Sequence, residues 1–285
     1  MPKLLIPAGI QARKRFGQHF LVRPSALRAI AERAGLDADT TVVEIGAGTG
    51  NLTRELSRRA GKVYALEFDR DLAEGLREEL EGSNVEVIQA DALHFDFASL
   101  KPERGAFKIV GNLPFNISVP LIFRLIEHPG LCPELLLMVQ KEVADRITAA
   151  PGGKSYGVLA VLCQMLADTE LVLRVPPSAF RPAPKVHSAL VRFRRLDQTR
   201  HPVPDWEFFK QVVKAALGQR RKIIANALKG SPLLDLPPEI IVRALSQAGI
   251  DPIRRAQTLT LSEFAQLGSQ LIEARIKNGT GNVHR

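Results

Sequence analysis

Four consecutive residues, Asn112-Leu113-Pro114-Phe115, carry the sharpest chemical signal in this sequence. The exocyclic amino nitrogen of a base such as adenine is a poor nucleophile, because its lone pair is delocalised into the ring. Two acceptors, the Asn112 side-chain oxygen and a backbone carbonyl next to Pro114, can hydrogen-bond its two protons. That localises the lone pair and aims it. Pro114 has no N–H and a fixed φ, which helps hold the carbonyl in place. Phe115 offers an aromatic face on which an extruded base can stack, worth about 1–3 kcal/mol. Such chemistry requires neither a metal nor a strong base. Positioning and desolvation supply on the order of 7–11 kcal/mol for a well-aligned attack. A plain strand ending in an N-L-P turn would present the same four residues, so their meaning depends on what precedes them.

What precedes them is a set of strand-end residues. In Glu44-Ile45-Gly46-Ala47-Gly48-Thr49-Gly50, glycines after a strand let the backbone turn tightly and approach a ligand closely. The spacing is G-x-G-x-G, not the G-x-G-x-x-G of a dinucleotide fingerprint, and fits a cofactor with no pyrophosphate to hold; a structural turn or an NAD site is the alternative. Glu67 ends the next strand, 21 positions after Gly46, and an acid there can accept both ribose hydroxyls of an adenosine. With Asp69 and Asp71 close by, a solvated surface acid is its alternative. Asp91 follows the third strand, where a carboxylate can accept from an adenine amino group or simply cap a turn. In register, these elements make an adenosyl pocket at a topological switch point. An adenosyl pocket ahead of Asn112 points to a methyl donor, S-adenosyl-L-methionine.

The elements that must position these residues are legible in the apolar pattern. Strand candidates at 42–45, 62–67, 85–88, 107–110 and 135–139 alternate with helical segments, among them 51–59 and 70–80. Strands separated by helix-length segments predict right-handed βαβ units and a mostly parallel sheet, a Rossmann-like α/β domain over 24–195. Residues 196–205 read as a linker. Helical spacing at 206–217, 220–228, 238–247 and 262–275 predicts a small all-α domain over 206–277, with Asp205 and Ser262 as N-caps and Gly249 as a helix stop. Residues 278–285 read as a frayed tail.

The formal charge of +9 is unevenly spread. A basic N-terminal arm, 1–23, carries +5, including Arg13, Lys14 and Arg15; residues 206–285 carry +6 and the middle −2. Within the middle, 171–196 hold six Lys/Arg and no acid. Separate basic pieces around a neutral body suit a polyanion. Arg181 and Lys185 lie in a stiff Pro-rich segment, 180–188. Arg220, Arg221 and Lys222 follow Gln219 at an expected helix start, where cations oppose the helix dipole and phosphate contacts are the better reading. Hydrophobic residues make up 45% of the chain, which excludes global disorder. No apolar run reaches the ~18 residues needed to span a bilayer, and the N-terminus has no secretion signal. Cys132 and Cys163 read as buried free thiols in a reducing compartment, so a cytoplasmic location is expected. No metal-ligand spacing is present; His94, His128 and His201 are given no role.

Taken with Lys14 to Leu21, the Gly46 loop, Asn112 to Ser118, Leu137 to Val143, Val175 to Ser188 and Gln219 to Lys222, the chain resembles the family of ribosomal RNA adenine dimethyltransferases, and within it the bacterial small-subunit branch. The resemblance runs from about residue 12 to 266. It implies that His19 and Leu21 close over the cofactor, that Gly46, with Gly48 in the same loop, and Glu67 hold its methionine side and ribose, that Asp91 holds its adenine, and that Asn112 binds at the reaction centre. Many members have Asn in place of His19 and Tyr in place of Phe115; stacking survives the second change and a hydroxyl hydrogen bond does not. The implied reaction is dimethylation of N6 on two adjacent adenosines in the 3′-terminal hairpin of small-subunit rRNA, within an immature 30S particle, by a monomer with no membrane partner. Three other readings stand beside it: a large-subunit rRNA adenine methyltransferase, a binding protein for ribosome assembly or a transcription factor built on a methyltransferase fold, and an NAD-dependent oxidoreductase. The basic helical domain argues against the first, the intact pocket residues against the second, and the glycine spacing against the third.

Overall fold

The computed structural model describes residues 13, 18–102, 105–128 and 131–277. Lys14, Arg15 and the expected tail 278–285 lie outside the described residues. The elements in chain order are β1 (Phe20–Leu21), α1 (Pro24–Arg33), β2 (Thr41–Ile45), α2 (Asn51–Ser57), β3 (Lys62–Glu67), α3 (Arg70–Glu79), β4 (Val85–Gln89), β5 (Phe107–Asn112), α4 (Ser118–Glu127), β6 (Glu134–Gln140), α5 (Lys141–Ile147), α6 (Val158–Leu166), β7 (Ala167–Val175), β8 (Phe180–Arg181) and β9 (Ser188–Arg195). Four further helices follow: α7 (Trp206–Leu217), α8 (Ile224–Lys229), α9 (Pro238–Gln247) and α10 (Leu261–Lys277).

Seven strands form one sheet in the order β4-β3-β2-β5-β6-β9-β7, and β1 pairs with β8 in a separate ribbon. The five strands expected from the sequence run parallel to one another, and β9 is antiparallel to β6. Successive residues Val42 and Val43, and Ile109 and Val110, are all buried, so helices cover both faces of the sheet, as a parallel sheet requires. On one face α1 and α2 bring Leu27, Ile30, Leu52 and Leu56 against Val42, Val63 and Val110. The fold is the expected Rossmann-like α/β domain with a mostly parallel sheet, followed by a helical region.

The chain divides into two compact units. The first takes in the residues up to Asp145 together with Asp168–Asp197, the second Arg146–Ala167 together with those from Gln198 onward. This differs from the contiguous division at 195. Leu159, Ala160, Val161, Leu162, Cys163 and Met165 of α6 are all buried. A helix apolar nearly all round must be enclosed, and α6 packs against α7 and α10.

In the helical unit Asp205 caps α7, accepting from the Phe208 N–H at 2.9 Å, and Gly249 follows α9 at φ 67°, both as expected. Two expectations are corrected. Ser262 is not the N-cap of α10: the Thr260 hydroxyl accepts from the Glu263 N–H at 3.2 Å while Glu263 Oε2 accepts from the Thr260 N–H at 2.7 Å. This reciprocal capping box satisfies two orphan donors where a cap at Ser262 would satisfy one. The helix expected from 220 begins instead at Ile224. Gln219 to Lys222 form a turn closed by the Lys222 N–H on the Gln219 carbonyl at 2.9 Å. Among the described residues no helix is long and apolar enough to cross a membrane.

Candidate functional site

Strand order reverses at β2: β3 and β4 lie on one side of it, β5 and β6 on the other. The C-terminal ends of β2 and β5 therefore diverge into a crevice, the usual ligand position in such sheets. A cleft of about 210 Å³ opens there, lined by Gly46, Glu67, Asp91, Asn112 and Phe115 among others. The register explains the convergence. Ile45 pairs with Leu66 and with Gly111, and Glu67 pairs with Gln89, so the residues after four adjacent strands arrive at one level. His19, Gly48, Leu113 and Pro114 also line this cleft. Leu21 does not; it borders a smaller cavity of about 30 Å³ beneath the glycine loop, shared with Gly46, Gly48 and Asn112.

Gly46 and Gly48 sit at φ 76° and 58°, a region other residues rarely occupy. A Cβ on Gly46 would stand 3.1 Å from the Asn112 carbonyl, and one on Gly48 3.1 Å from the Phe20 ring. The loop is thus packed between the end of β5 and Phe20 of β1. Glu67 is 7% exposed. Its Oε2 accepts from the Gly48 N–H at 2.7 Å and its Oε1 from the Asp69 N–H at 2.9 Å. Burial pushes its carboxyl up, and these N–H donors pull it back. Two oxygens with about four lone-pair sites retain capacity for further donors.

Glu44, to which the sequence alone assigns no role, is 1% exposed and borders the small cavity. Among the described residues, neither its Oε2 nor the nearby Thr53 hydroxyl makes a well-formed hydrogen bond. Burial raises its carboxyl to about 8; proximity to Thr53 offsets part of this and Glu67 adds to it. At low pH both folded and unfolded chains carry the proton. Between the ordinary value of 4.5 and about 8 only the unfolded chain ionises, so stability falls as pH rises. Glu44→Gln is therefore expected to stabilise the ligand-free protein increasingly from pH 5 to pH 8.5, on the order of a few kcal/mol at the upper end. Urea unfolding across that range checks it; a pH-independent difference would contradict it.

Asp91 follows β4 and is engaged locally. Its Oδ1 accepts from the Leu93 N–H at 2.9 Å and its Oδ2 meets His94 Nδ1 at 2.9 Å. The Leu93 N–H first, and His94 second, hold its carboxyl below the ordinary range. His94, given no role from the sequence, thus orients a cleft residue. Phe68, 54% exposed, also borders the cleft; the apolar position after Glu67 was the overlooked signal.

Asn112 is the last residue of β5, and its Nδ2 donates to the His19 carbonyl at 3.1 Å. The Leu113 N–H donates to the Met138 carbonyl at 3.1 Å, tying the turn to β6, and the Pro114 carbonyl accepts from the Ile117 N–H at 3.2 Å. The His19 ring lies 5.5 Å from that of Phe115, tilted by 31°, and its Nδ1 donates to the Pro182 carbonyl at 2.8 Å. His19, near the end of the arm, and the Pro-rich segment therefore meet at the Phe115 side of the cleft.

The basic residues are distributed differently from one another. Arg181 pairs with Phe20 across the β1–β8 ribbon, and both Arg181 and Lys185 are exposed. Arg13 is not a free cation: Nη1 donates to Asp69 Oδ1 at 2.9 Å and Nη2 pairs with Asp71. In the helical unit Arg220, Arg221 and Lys222 are exposed, and Arg220 Nη2 donates to the Lys154 carbonyl at 2.7 Å.

A family model described as ribosomal RNA adenine dimethylase matches residues 9–268. The ribosomal RNA small subunit methyltransferase A of Syntrophotalea carbinolica is 45% identical over 261 residues, covering 92% of this chain and 97% of that protein. Among solved structures, a dimethyladenosine transferase from Plasmodium falciparum superposes with a TM-score of 0.76 at 26% identity, covering 92% of this chain and 98% of that one. The 23S rRNA methyltransferase ErmE gives 0.67 at 30% identity, covering 89% and 99%. By family model and by end-to-end similarity, the chain belongs to the ribosomal RNA adenine dimethylase family.

Proposed function

We propose that this chain uses S-adenosyl-L-methionine to dimethylate N6 of two adjacent adenosines in the 3′-terminal hairpin of small-subunit rRNA. The observation that carries the reading is the convergence of Asn112-Leu113-Pro114-Phe115 with Gly46, Glu67 and Asp91 on one cleft. The residues fit that cofactor: Gly46 and Gly48 form a cradle that a Cβ would fill, and Glu67 and Asp91 offer acceptors for ribose hydroxyls and an adenine amino group, while in the adjoining small cavity Glu44 Oε2, with no hydrogen-bond partner among the described residues, would suit a cationic amino-acid moiety. His19 closes the N-terminal side of the cleft, and Leu21 closes the small cavity beside it. Bound there, the cofactor supplies an electrophilic methyl group.

The chain's own residues act on the acceptor. Asn112 Oδ1 takes one amino proton in a hydrogen bond. The second acceptor is the Leu113 carbonyl, since that of Pro114 already receives Ile117 N–H. Phe115 gives the extruded base a stacking face, and stacking is its whole role because it carries no hydroxyl. Arg181 and Lys185, with Lys14 and Arg15 of the arm, suit contacts to the rRNA backbone. So do Arg220, Arg221 and Lys222. The substrate is rRNA in an immature 30S particle and the enzyme acts as a monomer in the cytoplasm, with no membrane partner. The kinship with the small-subunit enzyme at 45% identity, and the exposed cations of the turn from Gln219 to Lys222, favour this over the large-subunit reaction.

Titration with S-adenosylhomocysteine and with NAD, followed by methyl transfer to small- and large-subunit rRNA, tests the reading. Binding of the former alone and transfer to small-subunit rRNA are expected; NAD binding or preference for large-subunit rRNA would overturn it. Arg221→Ala with Lys222→Ala should weaken binding to small-subunit particles. The salt slope should fall by about 1 for each phosphate that is no longer neutralised, with S-adenosylhomocysteine binding unchanged. An unaltered slope would remove these residues from the rRNA interface.

A further inference from the structure

Asn112 can present its side-chain amide in two ways, and only one turns Oδ1 toward an acceptor base. The choice is made outside the strand. Its Nδ2 lies 3.1 Å from the His19 carbonyl, and a carbonyl accepts but cannot donate, so the amide nitrogen faces His19 and the oxygen faces away. What holds the His19 carbonyl then decides how well Asn112 is aimed.

Residues 18–21 are pinned at several points. On the far side the Leu21 carbonyl accepts from Asn51 Nδ2 at 3.0 Å. On the near side Gln18 Nε2 donates to Asp69 Oδ2 at 3.2 Å, and Gln18 Oε1 accepts from the Arg13 N–H at 2.7 Å. Arg13 Nη1 donates to the other Asp69 oxygen at 2.9 Å, and the same guanidinium pairs with Asp71. Asp69 is 4% exposed and caps α3. Its own N–H fixes Glu67 Oε1 at 2.9 Å. One buried carboxylate therefore joins the chain that carries His19 to the end of β3, where Glu67 sits. A buried charge held by charge-assisted bonds is a rigid anchor, and Arg13 would have to leave two carboxylates to serve a phosphate instead.

We propose that Arg13, Gln18 and Asp69 form a latch that aims Asn112 through the His19 carbonyl, so that they are positioning residues for methyl transfer and not only a cover for the cofactor. The proposal rests on the role of Asn112 given above. The test is carried out on the full-length enzyme with Arg13→Gln and Gln18→Leu combined. Cofactor affinity, single-turnover rate at saturating S-adenosyl-L-methionine and affinity for small-subunit particles are measured together. The expected result is a loss of about tenfold in the rate at saturation, with a similar loss in cofactor affinity and unchanged particle affinity; the melting temperature falls because Asp69 loses its partners, while the chain stays folded at the assay temperature. Arg13→Lys, which keeps a donor cation, should recover most of the rate. A normal rate at saturation with only affinity lost would overturn the latch, as would a loss confined to particle binding. Asn112→Ala in the same assay separates the failures. If it is inactive while the latch variant is normal, the latch alone fails. If it turns over normally, the reading of Asn112 fails and the latch falls with it.

Discussion

Asn112→Ala is expected to keep S-adenosyl-L-methionine binding within a few-fold of the wild type and to lower methyl transfer by at least about a thousandfold. Truncation removes the side-chain oxygen that, in the proposed function, takes one amino proton. Loss of a single aimed hydrogen-bond partner at a reacting group costs about 10²–10³ in rate. The second acceptor, the Leu113 carbonyl, would remain, but the base would be held at one point and free to turn, and misplacement by about 1 Å costs on the order of 10² more. The fold has little reason to change, because Asn112 is only half-buried and, among the described residues, its side chain bonds to the His19 carbonyl. Single-turnover methylation of small-subunit particles, with calorimetric titration of the cofactor, measures both halves. A variant that turns over within tenfold of wild type would remove Asn112 from the reaction centre.

Glu67→Ala is the second large effect and falls on the other half of the site. Cofactor affinity is expected to drop by about 10²–10³, with the rate at saturating cofactor far less affected. Two hydrogen bonds from ribose hydroxyls to a charged acceptor are worth about 1.5–3 kcal/mol each, and every 1.4 kcal/mol is tenfold in affinity. Truncation also leaves the N–H groups of Gly48 and Asp69 without their acceptor, so the glycine loop and the start of α3 loosen together. Glu67→Gln keeps the shape and one acceptor oxygen and should lose about tenfold. Titration with S-adenosylhomocysteine distinguishes the two variants; affinity unchanged in Glu67→Ala would place the ribose elsewhere.

The sheet and its edge residues were legible because their signals are local. A parallel strand buried on both faces is a short apolar run, and the residue after it must lie at the sheet edge, so Gly46, Glu67, Asp91 and Asn112 could be placed in one crevice from spacing alone. The shape of the ribbon β1–β8 could not, because it joins Phe20 to Arg181 and nothing in either dipeptide names the other. Arg13 is the clearest case. Among Lys14 and Arg15 it reads as one cation of an RNA-binding run, yet it lies against Asp69, 56 positions away in the chain. Glu44 was hidden for a different reason. A carboxylate inside a strand looks like a solvent-facing position, and only burial on both sheet faces turns it into a charged group with nowhere to go. Nothing local in Arg146–Ala167 ties it to the later helices with which it clusters, since an all-round apolar helix fits any core. At the start of α8 the pattern extended too far, because Gln219 to Lys222 have ordinary helix propensity and only the turn they form sets them outside it.

On this reading the cleft places two methyl groups on each of two neighbouring adenosines of small-subunit rRNA. The most direct test is mass mapping of that rRNA after incubating unmethylated small-subunit particles with the enzyme and S-adenosyl-L-methionine. A single modified fragment is expected, from the 3′-terminal hairpin, in which two adjacent adenosines each become N6,N6-dimethyladenosine. Methyl groups confined to large-subunit rRNA, to another base, or to a site outside that hairpin would contradict it.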